Sequence, residues 1–189
     1  EIGKPSGELN TSTIIQSLAS TLPEDVIVCT DSGGGNAAYS FCQNTTQNSW
    51  LSLTGGAIGQ GAPCSVGAAL ACPDQRVLAM LGDGGAAYTI QALWTQARES
   101  QNVTTVIFAN NSYNILNVEY GRLGVTDVGA IAASLFDIGN PEVDWVALAK
   151  GFGVPGGKAE TAEELCALLE QSYATPGPFL IQASGEIKR

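Results

Sequence analysis

Two short stretches carry the residue types that could do chemistry. Val77-Leu78-Ala79-Met80-Leu81 is an apolar run that ends abruptly in Gly82-Asp83-Gly84-Gly85, and Thr105-Val106-Ile107-Phe108-Ala109 ends the same way in Asn110-Asn111. Asp83 and Asn111 are 28 residues apart, about one strand, helix, strand repeat. Parallel neighbours in a sheet lie about 5 Å apart, so the carboxylate and the amide oxygen could converge on one point at a common edge. A hard cation such as Mg²⁺ takes oxygen ligands at about 2.0 to 2.1 Å, with one or two from the protein and the rest from phosphates and water. One carboxylate and one amide hold such an ion weakly in an apolar cleft, so the missing negative charge would come from a di- or triphosphate. The metal and the phosphate imply each other.

The second device is the backbone amide. Gly84 and Gly85 precede one predicted helix, and Gly34 and Gly35 precede another. Without a Cβ, such turns let N–H groups approach a phosphate closely. No Gly-Lys-Ser or Gly-Lys-Thr occurs, so a P-loop lacks its lysine. Gly82-x-Gly84-x-x-Ala87 is a variant of the dinucleotide-binding fingerprint, which makes an NAD(P)-binding Rossmann domain the alternative from another class. That fold wants an acidic residue at the end of the next strand, where this chain has Ala109-Asn110-Asn111.

The elements that must position these residues follow from patterning. Glu1 to Gly7 reads as a linker tail, with one domain over residues 8–189. Asn10 or Thr11 caps a helix through Ile14, Ile15, Leu18 and Ala19 that ends at Pro23. A short buried strand is expected at Val26 to Cys29, and further strands at Trp50 to Leu53, Arg76 to Leu81, Thr104 to Ala109, Gly156 to Glu160 and Pro178 to Ala183. Between them, helices are expected over Ala37 to Cys42, from the Thr54 to Gly61 turn through Ala71, and after Gly84 with Ile90, Leu93, Trp94 and Ala97 on one face. Further helices are expected over Ile115 to Tyr120, over Asp144 to Phe152 with Trp145, Leu148 and Ala149 inward, and over Thr161 to Ala174. Thr161 and Glu164 form a capping box at the start of the last helix. Trp94, Trp145 and Phe152 are expected in the core, and Gly121 to Asn140 as a loop with one short helix that could cover a ligand. Six alternations of strand and helix predict a doubly wound, mostly parallel six-stranded α/β sheet with helices on both faces. In such sheets ligands bind beyond the carboxyl ends of the strands, where every one of these turns falls.

Composition bounds the rest. With 18 acidic against 8 basic residues the net charge is −10, which disfavours nucleic acid and anionic membrane surfaces as partners. Five cysteines with no Cys-x-x-Cys pair suit reduced thiols and a cytoplasmic location. Sequons at Asn10, Asn44, Asn102 and Asn110 are read as sequence matches only. The first residue is Glu, which is read as a chain that has lost upstream sequence.

Gly82-Asp83-Gly84 and Asn110-Asn111, with 25 residues between them, resemble the thiamin diphosphate binding motif. The surrounding Leu53-Thr-Gly-Gly-Ala-Ile-Gly-Gln-Gly-Ala-Pro63 and Ala92-Leu-Trp-Thr-Gln-Ala97 resemble acetolactate synthase-like enzymes and benzoylformate decarboxylase. The resemblance runs from about Glu8 to Ala183 and is to their C-terminal, pyrophosphate-binding domain. It implies thiamin diphosphate and Mg²⁺ as cofactors, with Asp83, Asn111 and the Tyr113 carbonyl as metal ligands. It further implies Gly34, Gly35, Gly82, Gly84, Gly85, Asn114 and Ile115 around the diphosphate. Gly56 would offer its carbonyl to the aminopyrimidine, and Ile58 would wedge beneath the thiazolium and bend the cofactor.

By the same resemblance, the substrate is a 2-keto acid that is decarboxylated, ligated or both, with simple benzoylformate-type decarboxylation as the alternative outcome. Gly85 stands where relatives often carry Ser, and the chain has no histidine to act as an acid or base. The family's activating glutamate belongs to a pyrimidine-binding domain absent from this chain, and FAD could enter only through a middle domain equally absent. No catalytic residue is therefore expected in this chain, and the chain alone is expected to be inactive. A homodimer or tetramer, with a pyrimidine domain against this edge, is the implied assembly. A non-catalytic interaction fragment is the remaining alternative.

Overall fold

The computed structural model describes residues 2–31, 35–125 and 127–185. Six strands form one parallel sheet: β1 (Val26–Thr30), β2 (Asn48–Ser52), β3 (Val77–Gly82), β4 (Val103–Ala109), β5 (Gly156–Ala159) and β6 (Phe179–Ser184). Their order is β2-β1-β3-β4-β6-β5, so the doubly wound α/β expectation holds, with every pairing parallel. After β2 the chain returns past β1 to β3, and the winding reverses there. A crevice opens at such a switch point.

Parallel strands covered on both faces must be apolar on both, and β1 and β4 are buried throughout. Alternate residues serve opposite layers. Val26, Val28, Leu78 and Met80 pack under α1 (Thr11–Thr21) and α9 (Ala162–Ala174), while Cys29, Val77, Ala79 and Leu81 pack under α3 (Gly61–Ala71) and α8 (Trp145–Gly151). Helix starts follow their chemistry. The Asn10 carboxamide accepts from the Ser12 and Thr13 N–H groups, and Thr161 and Glu164 close the expected capping box. The Ile2 to Gly7 segment is docked: the Gly3 carbonyl accepts from Gln16, and the Gly7 carbonyl from the Ala162 N–H.

Three expectations are corrected. The helix after Gly84 is two helices, α4 (Asp83–Thr89) and α5 (Ala92–Arg98), joined by a tight turn in which Leu93 and Trp94 donate to carbonyls three residues back. In α5, Leu93 and Gln96 take the inward face, so Trp94 is 52% exposed with the Arg98 guanidinium 5.4 Å over its ring. Leu148 is likewise half-exposed, because Trp145 and Ala149 fill the inward face of α8. Trp145 is core as expected, and Phe152 packs partly buried against the same layer.

At the amino edge of the sheet the Arg76 guanidinium donates to the carbonyls of Tyr173, Thr175 and Gly177, and Asn102 accepts from the Gly177 N–H. That edge is closed by side chain to backbone bonds. The carboxyl edge carries α2 (Gly35–Cys42), α4, α6 (Asn114–Arg122) and α7 (Ala130–Ser134), and neither α6 nor α7 has a buried residue.

Candidate cofactor site

The site is built at the carboxyl ends of β1, β3 and β4. β3 and β4 pair in register as far as Gly82 opposite Phe108, so the residues that follow leave the sheet side by side. Asp83 opens α4, and its side chain is 3% exposed. Its Oδ1 accepts from the Gly84 N–H at 2.8 Å and its Oδ2 from the Asn111 N–H at 2.6 Å. Asp83 and Asn111 thus meet through the Asn111 backbone N–H, whereas the expectation was that the carboxylate and the Asn111 side-chain oxygen converge. To aim that N–H, Asn111 adopts φ 53°, a left-handed conformation that Asn tolerates better than most residues. The loop is held from the other side as well: Ile138 donates to the Asn111 carbonyl at 3.0 Å, and Tyr113 donates to that of Phe136 at 2.9 Å.

Burial pushes the Asp83 carboxyl above the ordinary carboxylate range, opposed by the N–H groups of Asn111 and Gly84. Among the described residues no lysine or arginine pairs with it. A buried anion held only by dipoles is a good partner for a cation. The Asn110 and Asp83 N–H groups also lower the carboxyl's pKa, so four backbone dipoles face this carboxylate. Among the described residues no three His, Cys, Asp or Glu side chains gather as a metal cage. A single carboxylate of this kind is a donor a hard cation can share with phosphate oxygens.

Other predicted residues fall around this point in different states. Gly82 ends β3, half-buried. The Gly84 N–H is taken by Asp83, and the space above its α-carbon holds the Tyr113 ring, 2.6 Å from where a Cβ would be. The Tyr113 carbonyl accepts from Leu116 in the first turn of α6, with one lone pair left, and Asn114 and Ile115 open that turn. Gly34 lies outside the described residues; Gly35 opens α2 against the Thr30 side chain. Gly56 has φ 71°, and Ile58 stands 55% exposed on the same turn.

Sequence reasoning passed over Asp31. This residue follows β1 across the switch point from Asp83, and its Oδ2 accepts from both Gly59 and Gly61 at 3.1 Å. Burial raises its carboxyl too, against those two N–H groups. Its partners are backbone amides of glycines, which leave no side-chain signature in a sequence.

The family described as "thiamine pyrophosphate enzyme, C-terminal TPP binding domain" matches residues 32–183. The chain belongs to this family. This thiamin diphosphate-binding domain is 44% identical over 94% of its length to a Mycobacterium tuberculosis protein named as an acetolactate synthase large subunit, IlvX, covering 35% of that protein. It is 31% identical over 96% of its length to the benzoylformate decarboxylase of Pseudomonas aeruginosa, covering 33% of it. The structure of a thiamine diphosphate-dependent 4-hydroxybenzoylformate decarboxylase from Rhodococcus jostii superposes with a TM-score of 0.82 at 27% identity, over 100% of this chain and 34% of that one. The chain spans about a third of the length of these relatives. The strand order also departs from the usual dinucleotide-binding order of 3-2-1-4-5-6, and the NAD(P) alternative falls.

Proposed function

We propose that the protein carrying this domain is a thiamin diphosphate and Mg²⁺ dependent enzyme that acts on 2-keto acids, by decarboxylation with or without ligation of the product. The observation that carries this reading is the buried Asp83 carboxylate, held by N–H groups alone at the switch-point edge. In this reading Asp83, the Asn111 side chain and the Tyr113 carbonyl hold Mg²⁺, and Gly34, Gly35, Gly82, Gly84, Gly85, Asn114 and Ile115 surround the diphosphate. The Tyr113 ring turns away from Gly84 to admit the ligand. Gly56 meets the aminopyrimidine, and Ile58 supports the thiazolium from below. When bound, thiamin diphosphate supplies the carbanion-stabilising chemistry that a 2-keto acid needs to lose CO₂. In this reading the chain's part is to bind and orient the cofactor.

The acetolactate synthase and benzoylformate decarboxylase names of its relatives support the 2-keto acid class. Leu123, Ile131 and Leu135 on and beside α6 and α7 are 78%, 83% and 69% exposed beside the site, which supports a pyrimidine-binding domain of the same or a partner subunit closing over this edge in a homodimer or tetramer. Five free cysteines support a cytoplasmic setting. Titration calorimetry of the full protein tests the core of this. Thiamin diphosphate should bind with Mg²⁺ and lose its binding in excess EDTA, and binding of NAD(P) in its place would refute the proposal.

A further inference from the structure

Ile58 sits on a turn that contributes almost nothing to the core: Thr54 to Ile58 are all exposed. Something else must set where this apolar side chain stands. Gly59 is gripped on both sides. Its N–H donates to Asp31 Oδ2 at 3.1 Å, and its carbonyl accepts from Thr89 Oγ1, at the end of α4, at 2.6 Å. The Gly61 N–H donates to the same Asp31 oxygen at 3.1 Å, so one carboxylate oxygen bridges both ends of a three-residue step. A negatively charged oxygen serves two donors at once better than a neutral one. The other oxygen, Oδ1, is buried with no hydrogen-bond partner among the described residues and lies 3.3 Å from where a Cβ on Gly85 would be. The Asp31 side chain is thus lodged between the 59–61 step and the first turn of α4.

We propose that Asp31 and Thr89 are positioning residues: they clamp Gly59 between the end of β1 and the end of α4, and so fix the height of Ile58 above the cofactor edge. This rests on the reading of Ile58 as the support beneath the thiazolium. Neither residue touches the cofactor in this scheme; each acts through Gly59. Gly59 itself has φ 89°, and a Cβ there would lie 2.7 Å from the Cβ of Tyr88, so the clamp can close only on glycine.

Two measurements on the full protein separate the clamp from the support. In the ligand-free protein, hydrogen exchange of a peptide spanning residues 54–61 should rise about tenfold in Asp31→Ala, the worth of roughly one net hydrogen bond, with β4 unchanged. Thr89→Val should raise it from the opposite side, and Asp31→Asn, which keeps an accepting oxygen, should restore most of the protection. With Mg²⁺ present, Asp31→Ala and Ile58→Ala should each weaken thiamin diphosphate about tenfold while leaving inorganic diphosphate within about twofold. Unchanged exchange over 54–61 in both Asp31→Ala and Thr89→Val overturns the clamp. Equal loss of both ligands in Asp31→Ala overturns it as a positioning device for Ile58. If Ile58→Ala binds both ligands normally, the support reading fails, and the exchange data alone decide whether the clamp exists.

Discussion

Replacing Asp83 by Ala tests whether the carboxylate is a structural tie, a metal ligand or both. In the ligand-free protein the substitution strips the acceptor from two N–H groups, those of Gly84 and Asn111. Hydrogen bonds to a charged group contribute about 1.5 to 3 kcal/mol each, but removing a buried anion relieves its desolvation, which offsets part of the loss. A net destabilisation of about 2 kcal/mol follows, or a fall in Tm of about 4 to 8 °C for a chain of this size. Ligand adds a separate effect. Thiamin diphosphate with Mg²⁺ at about 100 times its Kd should stabilise the wild type by about 2.7 kcal/mol and the variant by almost nothing. Asp83→Asn keeps one accepting oxygen, so it should lose about half of the first effect and nearly all of the second. Urea unfolding and thermal scans with and without the ligand pair read both. A ligand shift that survives in both variants would refute the metal assignment, and a stability loss below about 0.5 kcal/mol would refute the tie between β3 and the 110–113 loop.

Three further outcomes are expected. Gly59→Ala should cost about 2 to 3 kcal/mol in urea unfolding, from the positive φ and the contact with Tyr88, and a neutral result would show that the turn moves freely. Burial raises the folded pKa of Asp31 above its ordinary 3.8, so the stability linked to this group is fully present below that value and is lost as pH rises through the folded pKa. The metal-free wild type should therefore gain stability relative to Asp31→Asn as the pH is lowered from 7 towards 4, and a gap moving the other way would contradict the burial argument. Thr161→Ala should cost about 1 kcal/mol by removing one half of the capping box, measurable as a shift in the urea midpoint with unchanged m-value.

Strand ends were the legible part of this molecule. An apolar run such as Val77 to Leu81 can only be a buried strand, and the Gly-Asp-Gly that follows can only leave it, so Asp83 had to stand at the sheet edge. The same logic put Asn110 and Asn111 one repeat later and fixed the fold class. Orientation within helices was harder. The tight turn between α4 and α5 rotates the second helix, which brought Gln96 inward and left Trp94 outside, although hydropathy ranks them the other way. Backbone partners were invisible. Nothing in the letters around Asp31 says that its oxygen accepts from Gly59 and Gly61, or that the Tyr113 ring lies over Gly84, because glycine contributes only its amide and its lack of a Cβ.

The bonds of Arg76 at the opposite edge of the sheet bear on how this fold can change. Arg76 and Asn102 fasten the start of β3 and the approach to β4 to the segment that leads into β6, and they do so on carbonyls and an N–H that no ligand at the carboxyl edge can reach. The exposed turn at 54–58 can therefore be rewritten while the fastening beneath it stays intact. A library confined to that turn should yield a high fraction of folded variants, whereas an equally small library that includes Arg76 and Asn102 should not.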